Sequence, residues 1–250
     1  MTTSEVTEHR IESPVIQARL AGGLWWLCIA TGIVGFIAGF PLIVANDPAA
    51  TAANILAKES SFRIGFAADV MSGVSYLGVT VFMYYVLKPV NRSLSLLAAF
   101  AGLAGIAIGS GAWISHLMPL LLLHGEQYLS GFTASQLQAA AMTSLKLQIQ
   151  IFNLAMLFFG VQCILIGCLV ARSIFLPRIL GVLLAIGGTT YTINFFANFL
   201  TPALGARLVF LIFPLAIIGE GSLGLWLLVK GVNENRWYEQ ASAAAKTVPV

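Results

Sequence analysis

Between Arg19 and Asp47 the chain carries no acid, lysine or arginine, and the same holds for Arg92 to Glu126, Lys146 to Arg172 and Arg178 to Arg207. Each run exceeds the roughly 20 residues that a helix needs to cross the hydrocarbon of a bilayer. Two further runs carry one acid apiece, Arg63 to Lys88 with Asp69 and Arg207 to Lys230 with Glu220. Within hydrocarbon a single segment must satisfy its own backbone polar groups, and the helix is the way to do so. The fold class that follows is all-α: a polytopic membrane helix bundle of about six transmembrane helices.

Composition excludes the alternative. Charged residues are 9% of the chain and hydrophobic ones 58%, with a mean hydropathy of +0.90. A soluble domain carries roughly 25% charged residues, so the partner this surface demands is the lipid bilayer. The net charge is +3 and the basic residues form no run, which argues against nucleic acid. Cys28, Cys163 and Cys168 lie in apolar stretches without metal-ligand spacing and read as small core residues. No nucleophile elbow, phosphate loop, HExxH or paired-cysteine motif occurs, so no cofactor or metal is expected and no motif marks a catalytic residue.

Three parts follow: a polar tail over 1–18, a six-helix domain over 19–231 and a second tail over 232–250. The first 18 residues hold Glu5, Glu8 and Glu12, which a signal peptide would not, and the first span reads as uncleaved. With the amino terminus inside, nine basic residues fall on the inner side: Arg10, Arg19, Lys88, Arg92, Arg172, Arg178, Lys230, Arg236 and Lys246. Four fall outside: Lys58, Arg63, Lys146 and Arg207. That bias places both termini in the cytoplasm.

The inner connections are tight, whereas two outer ones read as short interfacial helices. Asp47–Pro48 offers an N-cap and a proline at the first helical position. Thr133 to Gln136 (TASQ) fits a capping box and opens QLQAAAMTSLK, a segment able to run straight into the fourth span. Gly35/Gly39 and Gly105/Gly109 have the GxxxG spacing of close helix contacts.

Three strings carry a resemblance: LKPVNRSLSLLAAF at 87–100, FLPRILGVLLAIGG at 175–188 and IGEGSLGLWLLVKGVN at 218–233. With ANDPAATAANILAKESSFRIGFAADV at 45–70, they resemble a bacterial membrane family known only as domain of unknown function four-three-eight-six, over roughly residues 17–233. The resemblance implies a six-helix protein of the bacterial inner membrane and implies no activity.

Function must therefore be read from the polar residues inside the spans, which cost several kcal/mol in hydrocarbon and normally face the bundle interior or water. Asp69 lies near the outer end of the second span, and Ser72, Tyr76 and Thr80 follow on the same helical face. His116 stands near the outer end of the third span, Lys146, Gln150 and Asn153 share a face of the fourth, and Tyr191, Asn194 and Asn198 share one of the fifth. Glu220, between Gly219 and Gly221, falls near mid-membrane. A ligand or ion pocket lined by Asp69, Tyr76, His116, Lys146, Gln150, Asn153, Asn194 and Asn198 is one expectation, and a buried network that only fixes helix registry is the other.

Three functional readings stay open. The first is a small-molecule or ion permease or binder with an outward polar pocket, completed by a homo-oligomer because six helices are few for alternating access. The second is a structural or accessory membrane subunit. The third is a membrane enzyme on a lipid-like substrate, using Asp69, His116 and Glu220 as acids and bases.

Overall fold

A computed structural model describes residues 13–125 and 127–246, with the side chains of Ala206, Val209, Phe210, Leu211, Phe213 and Ala216 left aside. The polar residues 1–12 and Glu126 lie outside the described residues, as does the end of the second tail. Every regular element among the described residues is helical: α1 (Pro14–Gly39), α2 (Pro48–Ala57), α3 (Glu59–Leu87), α4 (Arg92–Leu123), α5 (Ala134–Arg172), α6 (Arg178–Leu200), α7 (Pro202–Val229) and α8 (Glu234–Lys246). Short 3-10 turns at Phe40–Leu42 and Gln127–Leu129 complete them.

Among the described residues, five helices are long and apolar enough to cross a membrane: α1 with its following turn, α3, α4, α5 and α6. The sixth, α7, is 28 residues long and contributes the apolar stretch Ile217–Val229. Their outward faces are apolar, with Ile37, Phe100, Ile114, Ile179 and Phe199 between 60% and 74% exposed. So many large exposed apolar side chains require a lipid solvent. The chain is an all-α, multi-pass membrane protein.

Local chemistry sets the ends of several helices. Asp47 caps α2 by accepting from the Ala50 amide at 2.9 Å, with Pro48 at the first helical position. At the start of α5 the Gln136 side chain accepts from the Thr133 amide at 2.8 Å, and Thr133 Oγ1 accepts from the Gln136 amide at 3.3 Å. That reciprocal box opens a continuous helix of 39 residues, so the second segment expected as an interfacial helix is the first part of α5. The stretch read as a carboxyl-terminal tail contains α8, capped by Asn233, whose Trp237 is buried and donates from Nε1 to the Val86 carbonyl at 2.9 Å.

The contacts divide the chain into two compact units. One holds the segment ending at Leu27, Ser75–Gly105 and the chain from Met156 onward; the other holds Cys28–Val74 and Ile106–Ala155. The second unit has an apolar cluster of Leu42, Ile55, Phe62, Leu120 and Leu145. In the first unit, glycines let backbones meet. A Cβ on Gly160 would lie 2.7 Å from the Gly188 carbonyl oxygen, and one on Gly167 would lie 2.5 Å from that of Gly181. The two pairs run in opposite senses along α5 and α6, as an antiparallel crossing requires. Small residues at such crossings replace the hydrophobic drive that lipid does not supply.

Candidate functional site

In the second unit, three helices bring Asp69, His116 and Gln148 together. His116 is 4% exposed, and its Nδ1 lies 3.2 Å from Asp69 Oδ2 and 3.1 Å from the Gln148 amide nitrogen. One ring nitrogen serves these two partners alternately. Carrying hydrogen, Nδ1 donates to Asp69; bare, it accepts from the Gln148 N–H. The other ring nitrogen, Nε2, is buried and has no hydrogen-bond partner. The imidazole packs against the rings of Phe62 and Phe66, at centroid separations of 4.4 and 6.0 Å.

The sequence builds this place in two ways. Gly35 on α1 leaves the room that the Asp69 carboxylate fills, since a Cβ there would collide with Oδ1. Pro119, three residues after His116, has no N–H for the Ser115 carbonyl one turn back, so a helix bond is missing beside the histidine. Asp69 keeps 26% side-chain exposure, so the trio is not sealed.

A different cluster forms in the first unit around Glu220. Trp25 donates from Nε1 to Glu220 Oε2 at 2.8 Å, and the Tyr191 hydroxyl donates to Oε1 at 2.6 Å. The buried indole of Trp25 meets the Tyr76 ring edge-on at 6.3 Å, and the Tyr76 hydroxyl lies 3.9 Å from Cys163 Sγ. Thus α1, α3, α5, α6 and α7 each give the cluster one side chain.

The remaining candidates stand apart from either cluster. Asn198 donates to the side chain and the backbone oxygen of Asn194, one turn earlier on α6, both at 2.9 Å. Lys146 and Gln150 are exposed on α5, and Asn153 is half-buried. Gln148, Trp25 and Tyr191 are the partners that sequence reading passed over as site residues. Gln148 had a weak signal, because it lies two residues from Gln150 and so about 200° around the helix from it. Among the described residues, no group of three histidines, cysteines or acids stands close enough to hold a metal ion.

Among the described residues, five long apolar helices and a shorter apolar one, with polar residues clustered inside them, define a polytopic integral membrane protein. The chain belongs to the family described as "Domain of unknown function (DUF4386)", whose model matches residues 20–231. It is also 27% identical over 153 residues to an uncharacterized protein of Archaeoglobus fulgidus, covering 61% of this chain and 75% of that one. No solved structure matches it.

Proposed function

We propose that this protein is a small-molecule or ion permease or binder, and that Asp69, His116 and Gln148 form its working site. The observation that carries the reading is a buried histidine held at Nδ1 by a partly exposed carboxylate, with nothing on Nε2. A carboxylate on one nitrogen fixes the ring and leaves the other to bind or release a proton or accept a donor. An unmade bond at a buried polar atom costs about 1–3 kcal/mol, a cost that a proton or donor arriving at Nε2 would relieve.

Depth supports the same reading. At the helical rise, Asp69 lies about 28 Å from Lys88, His116 about 36 Å from Arg92 and Gln148 about 36 Å from Arg172. Hydrocarbon is about 30 Å thick, so all three fall at its far boundary from those basic connections, where a solute in water arrives. With both termini cytoplasmic, as the basic residues favour, that boundary is the outer one. A reporter fused after Val250 then reads cytoplasmic.

The test is access by water. In a variant without native cysteines, cysteine at position 69 should react with a membrane-impermeant thiol reagent added outside, while cysteine at 106 or 161 should react slowly. Equal protection at all three positions would overturn the reading and leave a buried network that only joins helices.

A further inference from the structure

The Glu220 cluster shares no residue with the site proposed above and goes beyond it. We infer that Glu220 is a proton-binding site, its charge held by two neutral donors when ionised and its proton taken at Oε1, on the Tyr191 side, when neutral.

The two donors differ in what they are able to do. An indole N–H only donates, so the Trp25 bond to Oε2 persists in one sense alone. The Trp25 side chain is buried and braced by the edge of Tyr76, which fixes that donor in place. The hydroxyl oxygen of a carboxylic acid is the poorer acceptor, so Oε2 is best left bare and the proton goes to Oε1. There the partner is a phenol, which both donates and accepts. In the ionised state the Tyr191 hydroxyl donates to Oε1. When a hydronium ion gives its proton to Oε1 and departs as water, the phenol's bond to Oε1 opens, its hydrogen rotates away and Oε1 donates to the phenol oxygen instead. No heavy atom has to move.

The surroundings match this role. The ion pairs among the described residues are Arg63–Glu59, His116–Asp69 and His124–Glu59, so none of them answers Glu220 with a cation. Tyr191 from α6 bonds it and Cys163 from α5 lies near it, while Tyr76 from α3 touches Cys163 and the uncharged Trp25 of α1. A side chain that only bridged helices needs one acceptor for Trp25 and one donor for Tyr191, which glutamine supplies. Glutamate adds the ability to change charge.

The experiment uses the full chain in lipid nanodiscs, read by infrared difference spectra across pH in the region of the protonated carboxyl stretch. A carboxyl band should grow as pH falls, vanish in Glu220→Gln and persist in His116→Ala, which separates this site from the one proposed above. In Tyr191→Phe the ionised form loses one donor, so the midpoint should move up by about one to two pH units, the worth of a hydrogen bond to a charged group. A band lost in Glu220→Gln but constant across pH would overturn the inference, as would the absence of any such band. Should Glu220→Gln fail to fold, a wild-type band whose midpoint is unmoved in Tyr191→Phe would overturn it equally.

Discussion

Replacing Gly167 by alanine tests whether backbone contact between α5 and α6 holds this protein together. The added Cβ would stand 2.5 Å from the Gly181 carbonyl oxygen and 2.7 Å from the Ala185 nitrogen, where ordinary contact is 3.4–4 Å. The shortfall is about 0.9 Å against a partner that is backbone and cannot rotate away. Overpacking of that kind costs about 1–3 kcal/mol. Alanine returns about 0.5–1 kcal/mol of helix propensity, so on the central values the clash wins and the net loss is about 1 kcal/mol. The control is Gly23→Ala in α1, whose nearest neighbour would be a flexible Leu228 methyl at 3.7 Å. Thermal unfolding in one detergent should place Gly167→Ala below wild type and Gly23→Ala at or above it, with about 2–4 °C per kcal/mol for a chain of this size. Adding Gly181→Ala should cost less than the sum of the singles, because both new methyls press on one crossing that the first has already opened. Equal stability of Gly167→Ala and Gly23→Ala would refute this account of the crossing.

At the end of α4, His124 approaches the Leu120 carbonyl through one ring nitrogen and Glu59 at 3.1 Å through the other, an arrangement that only the charged ring donates to fully. The Leu120 bond first, then Glu59, holds its pKa above the ordinary histidine value of 6.5. A raised folded value means the contact is fully stabilising below the unfolded value and is lost as pH rises through the folded one. Histidine NMR should therefore show a midpoint above 6.5, lower in Glu59→Gln. At α8, Trp237→Phe keeps an aromatic ring but removes the bond to Val86, so amide exchange in Glu234–Lys246 should quicken about two- to tenfold, the factor for one neutral hydrogen bond.

The spans were legible because a helix in lipid has to exclude charge over its whole length, and gaps between Arg, Lys, Asp and Glu mark that directly. The caps at Asp47 and Thr133 were legible because capping is local, complete within four residues. The meeting of Asp69 with His116 was readable only as equal depth on two helices. Which side chain of α5 joins them depends on the rotation of α5, and periodicity pointed to the face of Lys146 and Gln150 rather than to Gln148. Trp25 lies 195 residues from Glu220, a pairing that no window along the chain contains. The glycines show the same limit. Gly35 and Gly39 drew notice by their spacing, yet Gly35 makes room for a carboxylate. The backbone crossing of α5 and α6 uses Gly160 with Gly188 and Gly167 with Gly181, each pair split between two helices.

Gln162 shows how opposing effects decide the sign of a substitution inside the first unit. It is 1% exposed, and its Nε2 donates to Thr80 Oγ1 at 3.0 Å, while the Thr80 hydroxyl donates to the Tyr76 carbonyl at 3.0 Å. Its Oε1 is buried without a partner. Turning the amide over does not help, because Thr80 has already committed its one hydrogen and the amide nitrogen would become the orphan. The gap beside it, bordered by Met83, Ser95 and Ile166, is too narrow to admit a water molecule. Methionine has nearly the same length and no polar group, so Gln162→Met keeps the volume. It forfeits one neutral hydrogen bond, about 0.5–1.5 kcal/mol, and removes a desolvated carbonyl that costs about 1–3 kcal/mol. Relief of the stranded carbonyl outweighs the lost bond, so the unfolding temperature of the variant should equal or exceed that of wild type, with Thr80 still bonded to Tyr76. A loss of more than about 1 kcal/mol would refute this ordering and show that the bond to Thr80 outweighs the stranded carbonyl.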